Sequence, residues 1–306
     1  MIDIAIIGAG PAGLSAAIYA SRAGFSAVAF EELVAGGQLT SIDRLENYPG
    51  FAEGIGGFDI ALSLRAQAER FGAQIVSEKV NGLRVPAEEG EPFVIETNAG
   101  SHEARSVVIA TGAKPRPLPV EGSERLVGRG ISYCATCDGN FFRGKRVAVV
   151  GGGDTACADA VYLSRIASEV HLIHRRTALR AAPWYAARLE GLEGLERHLG
   201  YTVEALHESD GRLTGLDMVD VESGEVTSLP IDGLFVAVGT APETSWLDGA
   251  VELDEAGYVV SHDEVLTSRA GVFVAGDVRT SPLRQVVTAA SDGALAAEAA
   301  AKYLAS

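Results

Sequence analysis

Cysteine is scarce. Three cysteines in 306 residues, Cys134, Cys137 and Cys157, exclude a stapled disulfide scaffold of the secreted kind. They also leave too few ligands for a structural zinc site, because apart from His171 and His174, used below, no second Cys or His pair at zinc-binding spacing remains. No metal is expected. Positive charge is short as well: 25 Lys and Arg against 41 Asp and Glu give a net charge of −16, which repels phosphate backbones and anionic lipid, so neither nucleic acid nor a membrane surface is an expected partner. Long apolar runs and a basic leader segment are missing, so neither a signal peptide nor a membrane span is expected. A chain so poor in cysteine fits the cytoplasm, where a persistent disulfide is usually catalytic. What is plentiful is apolar residues, 47% of the chain. The length exceeds what one core usually organises, so two domains are expected.

The chemistry is predicted at Cys134-Ala135-Thr136-Cys137-Asp138-Gly139. At C-x-x-C spacing one thiolate attacks an outside disulfide while the other resolves the mixed disulfide. Asp138, directly after the second Cys, is placed to hold or deliver a proton. Half of a zinc site is the competing reading of these four residues taken alone.

Upstream, the apolar strand Ile4-Ala5-Ile6-Ile7 runs into Gly8-Ala9-Gly10-Pro11-Ala12-Gly13 and then a helical pattern from Leu14 to Ala23. This is the strand, G-x-G-x-x-G turn and helix of a dinucleotide fold: Gly8 for the tight turn, Gly10 for close approach of a pyrophosphate, Gly13 for helix packing. Glu31 ends the next apolar strand, Ala27 to Phe30, at the distance that suits a ribose hydroxyl. The stretches Gly36-Gly37-Gln38-Leu39 and Glu46-Asn47-Tyr48-Pro49-Gly50 are too polar and glycine-rich for core, and are expected as loops or as backbone laid against a flat ring. An amphipathic helix is predicted from about Phe58 to Phe71, then strands with turns at Glu89-Gly90 and Asn98-Ala99-Gly100. The strand Val107 to Ala110 ends in Thr111-Gly112, and Lys114-Pro115-Arg116-Pro117 has the composition of a linker.

Past the Cys pair the opening pattern recurs as Val147-Ala148-Val149-Val150-Gly151-Gly152-Gly153-Asp154-Thr155-Ala156. The likeness extends into the following helix, where Ala17, Tyr19, Ser21 and Arg22 return as Ala160, Tyr162, Ser164 and Arg165. The informative difference lies at the end of the second strand: His174 stands for Glu31, with Arg175 and Arg176 behind it. An acid there repels a 2′-phosphate and a basic cluster attracts one, so the second unit is expected to prefer NADPH. A helix around Pro183 to Glu190, a turn at Glu222-Ser223-Gly224 and a strand Leu234 to Ala237 follow. Then Val272 to Ala275 leads to Gly276-Asp277, whose carboxylate is placed for a sugar alcohol chain, and Arg284-Gln285-Val286 opens an Ala-rich helix to about Leu304, its positive end available to a reduced ring.

Taken from end to end, the chain resembles bacterial low-molecular-weight thioredoxin reductases. The resemblance rests on the Cys134 to Gly139 motif, the Gly151 to Ala156 loop with His174-Arg175-Arg176, and the motifs Gly8 to Gly13, Gly37-Gln38-Leu39, Glu46-Asn47, Gly276-Asp277 and Arg284-Gln285-Val286. It implies an α/β fold of two Rossmann-like dinucleotide-binding domains of the three-layer ββα type. An FAD domain would span 1–113 and 243–306, with an NADPH domain at 116–240 inserted into it. FAD would be held by Gly8, Gly10, Pro11, Ala12, Gly13, Glu31, Gly37, Gln38, Leu39, Asn47, Thr111, Gly112, Gly276, Asp277, Arg284, Gln285 and Val286. NADPH would be held by Gly151, Gly153, Asp154, Thr155, Ala156, His174, Arg175, Arg176 and Arg180. By the same resemblance Cys137 is the flavin-proximal sulfur, Cys134 attacks thioredoxin, Asp138 handles the proton, and the protein is a homodimer. Linkers near Lys114–Pro117 and Gly239–Thr244 would let the inserted domain rotate, since disulfide and nicotinamide must each approach the flavin. One departure is visible: Cys157-Ala158-Asp159-Ala160 replaces a Val-Glu-Glu-Ala-like run, with Cys157 expected as a small helix residue. Flavoproteins of similar fold that reduce a peroxiredoxin carry a further N-terminal domain, whereas here the first motif begins at residue 4. Small-dithiol oxidation and a redox sensor without turnover remain as alternatives.

Overall fold

In the computed structural model the described residues are 1–306 apart from Asp43, Glu89, Pro282 and Ser306 and apart from the Cys137 side chain. The chain divides into two compact units, Met1–Lys114 with Ala241–Ser306, and Pro115–Thr240 between them.

The first unit opens with β1 (Ile2–Ile7), α1 (Pro11–Arg22), β2 (Ala27–Glu31), α2 (Gly57–Arg70), β3 (Gln74–Ser77), β4 (Val80–Arg84), β5 (Phe93–Thr97) and β6 (Ser101–Ile109). The short strand β7 (Ala113–Pro115) leads out of it. The inserted unit comprises β8 (Ile131–Ser132), α3 (Ala135–Asp138), β9 (Arg146–Val150), α4 (Asp154–Leu163), β10 (Glu169–His174), α5 (Pro183–Ala187), β11 (Leu195–Leu199), β12 (Tyr201–Ser209), β13 (Arg212–Asp220), β14 (Val226–Leu229) and β15 (Gly233–Val236). The strand β16 (Thr240–Pro242), which pairs with β7, leads back to β17 (Val272–Val274) and α6 (Val286–Ala305).

Both units have one design. In the first, β3, β2, β1, β6 and β17 run parallel in that order. In the second, β11, β10, β9, β15 and β8 do so. Each adds a three-stranded antiparallel meander: β4-β5-β6 in the first, sharing the long strand β6 with the parallel sheet, and a separate β12-β13-β14 in the second. A central parallel strand is buried on both faces and therefore needs an unbroken apolar run. In β1, Ile4 and Ile6 pack toward α1 and α6, while Ala5 and Ile7 pack toward the meander with Leu83, Phe93 and Ile95. In β10, Val170 and Leu172 lie with α4, and Ile173 lies with Val203, Leu213 and Leu216 of the meander. Among the described residues, no helix is long and apolar enough to cross a membrane.

The predicted helix over Pro183 to Glu190 is only a five-residue turn. Gly37–Ser41, predicted as loop, forms a 3-10 helix whose Leu39 is fully buried among Leu45, Ile60 and Ala61. Gly37, Gln38 and Thr40 of this turn are exposed, and its single apolar side chain anchors it. Of the turn predicted at Glu89-Gly90, Glu89 lies outside the described residues, and Gly90 has a φ of 92°.

Candidate active site

The Cys motif forms one helical turn. The backbone N–H of Asp138 donates to the Cys134 carbonyl at 3.1 Å, and four residues are too few to hold a helix unaided. Ser132, buried at the end of β8, supplies the support: its hydroxyl donates to Asp138 Oδ2 at 2.7 Å and accepts from the Cys134 N–H at 3.0 Å. Gly139 closes the turn against α4, where a Cβ would come within 2.8 Å of the Tyr162 ring. Cys134 is half-buried and disulfide-bonded, with its Sγ 3.5 Å from Thr136 Oγ1. The predicted role of Cys137 falls on a side chain outside the described residues. Cys157 is a free thiol buried in α4, and burial, with Asp154 adding to it, pushes its pKa up to about 11. A thiol so high stays protonated at neutral pH and is no third redox group.

The two Gly loops match hydrogen bond by hydrogen bond. Gly8 N–H donates to Phe30 O at 2.8 Å, and Gly151 N–H to Ile173 O at 3.0 Å. A Cβ on Gly8 would meet Ala110 O at 2.5 Å; on Gly151 it would meet Ala237 O at 2.2 Å. The carbonyl of the next residue accepts from a following loop in each case, Ala9 O from Gly36 and Gly152 O from Arg180, both at 2.7 Å. The helix begins two residues on, with Gly10 and Gly153 as N-caps whose side-chain-free backbones make no cap bond of their own. That leaves N-terminal amides for an anion.

In the inserted unit the cluster predicted to read a 2′-phosphate separates into two kinds of residue. Arg175, Arg176 and Arg180 are exposed and in no ion pair among the described residues. His174 is buried instead, and burial, then the charges of Arg180, Arg176 and Arg175, hold its pKa below the ordinary value. It is therefore neutral near pH 7, and the arginines carry the charge. Its ring covers Gly152, where a Cβ would come within 2.4 Å, and its Nε2 is buried without a hydrogen-bond partner among the described residues. Such an orphan polar atom beside a bare glycine turn fits a site made for a polar ligand. Asp154 Oδ1 accepts from Ala182 N–H at 2.7 Å, tying the next loop down. Thr155 is exposed and Ala156 is buried.

In the first unit Glu31 turns back on the loop, accepting from Ala9 N–H at 3.0 Å and from Leu33 N–H at 3.3 Å. A cavity of about 460 Å³ opens there, lined by Gly8, Glu31, Thr111, Gly112, Lys114 and Trp246 among others. Gly37, at φ 55°, brings its backbone to Gly10, leaving 3.1 Å between a would-be Cβ and the Gly10 Cα. Gln38 Nε2 donates to Ala113 O at 3.2 Å, while the Leu39 side chain is core and offers only backbone. Asn47 Nδ2 donates to Gln285 Oε1 at 2.7 Å, joining two predicted site residues far apart in sequence. The Arg284 guanidinium lies over the Tyr258 ring, 4.1 Å from its centroid. Asp277 is raised above the usual carboxylate range by burial, opposed by Arg284 and reinforced by Asp292. Val286 starts α6. A glycine-lined groove beside a roomy cavity at the strand ends fits FAD.

Residues 2–293 match the model of the pyridine nucleotide-disulphide oxidoreductase family. Over 302 residues the chain is 45% identical to thioredoxin reductase of Treponema pallidum, covering 99% of this chain and 97% of that one. It is 39% identical to thioredoxin reductase of Bacillus subtilis, covering 99% and 94%. The chain belongs to the low-molecular-weight thioredoxin reductases. The crystal structure of the Lactococcus lactis member superposes with a TM-score of 0.95 at 35% identity, covering 100% of this chain and 99% of that one. FAD and NADPH are the cofactors that this family membership carries. Ser132 was missed by sequence reasoning, because a serine two residues before a Cys has no local signature; only the fold sets its hydroxyl beside Asp138.

Proposed function

We propose that the unit Met1–Lys114 with Ala241–Ser306 binds FAD, that Pro115–Thr240 binds NADPH and carries the working disulfide, and that the enzyme reduces oxidised thioredoxin or a thioredoxin-like protein. The observation that carries the reading is the disulfide-bonded Cys134 on a single helical turn with Asp138 held by Ser132, in the same unit as the arginine-flanked Gly loop. Bound FAD and NADPH would supply the two-electron chemistry that reduces a disulfide. The residues of the chain divide the remaining work. Glu31, Asp277, the Gly8 to Gly13 loop, Gly37 and the Asn47–Gln285 pair hold FAD. The Gly151 to Ala156 turn, His174 Nε2 and the three arginines hold NADPH, the arginines through charge-assisted bonds to the 2′-phosphate.

Once the pair is reduced, the Cys134 thiolate attacks a thioredoxin sulfur. The thioredoxin disulfide breaks, a mixed disulfide forms, and the displaced thioredoxin thiolate takes a proton. Cys137 then attacks Cys134, releasing the second thioredoxin sulfur and restoring the intramolecular bond. Asp138 stores and returns the protons that these thiols lose and gain, and Ser132 fixes which oxygen faces them. The protein acts in the cytoplasm as a homodimer.

The test is steady-state NADPH oxidation by the yellow, FAD-containing enzyme with thioredoxin and a disulfide acceptor. Turnover should be sustained in the wild type and fall by about a thousandfold or more in Cys134→Ser, which leaves no thiolate to attack, while NADPH still bleaches the flavin. A variant that keeps substantial thioredoxin reduction would remove the disulfide from the mechanism. A wild type that stops after one equivalent would make it a sensor.

A further inference from the structure

Strands β10 and β11 each carry a Glu-x-His pattern, Glu169-Val170-His171 at the start of β10 and Glu196-Arg197-His198 within β11. They pair in parallel with His171 in register with Glu196. Because strand side chains alternate, Glu169, His171, Glu196 and His198 all lie on one face, the face that carries the β12-β13-β14 meander and not the α4 face. His171 is fully buried and His198 nearly so, whereas Glu196 and Glu169 reach solvent.

Three donor atoms converge. His171 Nδ1 lies 3.1 Å from His198 Nε2 and 3.5 Å from Glu196 Oε2, and His198 Nε2 lies 3.9 Å from that same oxygen. A point equidistant from three atoms so spaced is about 2.0 Å from each, the bond length of zinc to imidazole nitrogen and carboxylate oxygen. On its other edge His171 Nε2 meets Glu169 Oε1 at 3.3 Å. That is the outer-sphere carboxylate that fixes the tautomer of a metal-bound histidine, leaving Nδ1 with its lone pair inward.

We infer that His171, His198 and Glu196 form a binding site for Zn²⁺, with Glu169 as the carboxylate behind His171 and at least one coordination position open to water. Burial holds both histidines below their ordinary pKa, with the neighbouring carboxylates opposing, so both rings are neutral and lone-pair donors near pH 7. Without metal, the three inward atoms share only the one proton that His198 donates to His171, while the carboxylate faces the same lone pair. On binding, that proton moves to His198 Nδ1 and the cation replaces it, so neutral imidazoles need lose no proton to bind. Arg146, in register with Glu169 on β9, offsets one of the two carboxylate charges, so the site keeps one net negative charge for the cation. His171 lies three residues upstream of His174, about 10 Å along the strand and on the opposite face. Zinc there clamps β10 to β11 without occupying the nucleotide loop.

The experiment uses the chelator-treated, oxidised holoenzyme, whose closed disulfide offers no thiolate, in equilibrium dialysis against Zn²⁺ alone. One Zn²⁺ per chain should bind at micromolar concentration or below, and should raise the melting temperature. His198→Ala should weaken binding about a hundredfold or more, and Glu196→Gln and Glu169→Gln about tenfold each. Glu196 and Glu169 reach the surface while His198 is nearly buried, so the two Glu variants test the site even if His198→Ala is destabilised; flavin content and circular dichroism check that each variant folds. Cys157→Ser should bind as the wild type does. Absence of stoichiometric binding, or binding and thermal shift that survive His198→Ala, would overturn the site.

Discussion

In the first unit the loop Gly8-Ala9-Gly10 carries a methyl at its second position and the neighbouring strand ends in an acid. In the inserted unit Gly152 stands for the methyl and His174 for the acid. The exchange is coupled. Glu31 turns its carboxylate to the Ala9 N–H, which a methyl does not obstruct, whereas the His174 ring lies flat on position 152 and tolerates nothing larger than hydrogen there. The loop that donates to this position differs in the same sense: Gly36-Gly37 in the first unit, Arg180 in the second. One backbone framework thus carries an acid and bare glycine at the strand end of the first unit, and an imidazole ringed by arginines at that of the second. The two units differ in the side chains at the strand end, and the hydrogen-bonded turn beneath is common to both.

The comparison breaks most visibly at the third glycine. A Cβ on Gly13 would sit 1.9 Å from Gly8 O, while its counterpart Ala156 is already accommodated at full burial. Gly13→Ala should therefore cost about 3 kcal/mol or more and yield protein lacking FAD, whereas Ala156→Gly should cost about 1 kcal/mol and stay folded. Melting curves and flavin content measure both, and equal effects would mean that the helices pack alike in the two units.

A smaller effect tests the charge difference. Replacing Arg175 and Arg176 by Ala should remove charge-assisted contacts to the 2′-phosphate worth about 1.4 kcal/mol or more together, a screened figure because both side chains are exposed. The Michaelis constant for NADPH should rise by about tenfold or more and that for NADH should barely move. Equal losses with both cofactors would make these arginines supports of the fold.

The smallest effect concerns Asp159, which occupies in α4 the position of the fully buried Ala16 in α1. Burial raises its carboxyl pKa to about 7. The folded state then holds a proton that the unfolded state releases near pH 4, so stability falls as pH rises from about 4 to 7 and stays reduced above. Asp159→Asn should stabilise by about 1–2 kcal/mol at pH 8, a figure reduced from the full shift because the residue is partly open to solvent, and by almost nothing near pH 4. Denaturant melts at the two pH values check this, and a pH-independent gain would rule out titration as its cause.

The Gly turns, the strands feeding them, the C-x-x-C pair and the duplication were all legible in the sequence, because each is a local pattern with a local physical cause. The family resemblance carried the cofactor assignments further than those patterns could. What escaped notice depends on neighbours distant in the chain. Leu39 sits in a glycine-rich polar stretch and is buried only because α2 lies against it. His174 follows an apolar strand and precedes two arginines, so its sequence context suggests a cation, yet the fold closes over it. His171 was set beside His174 as a possible pair on spacing alone, but alternation sends them to opposite faces, and the residue that meets His171 comes from β11, a strand with too few apolar residues to stand out.

The first unit is assembled from both ends of the chain. Strand β17 completes the sheet against β6. Helix α6 packs on α1 so closely that a Cβ on Gly293 would lie 2.0 Å from Ala12 O, and Arg279 and Asp292 lock this segment together through two bonds of 2.7 and 2.9 Å. On the ribosome, β6 can pair with β1 and β5 early, but it must wait for β17, its third neighbour, until the whole inserted unit has been synthesised, a delay of about ten seconds or more at usual elongation rates. The inserted unit, contiguous in sequence, can close in that interval. The nascent chain can thus close the unit that carries Cys134 first, and the unit proposed to hold FAD only once α6 has been made, so a ribosome stalled short of α6 would hold Cys134 in a folded unit beside an unfinished first unit.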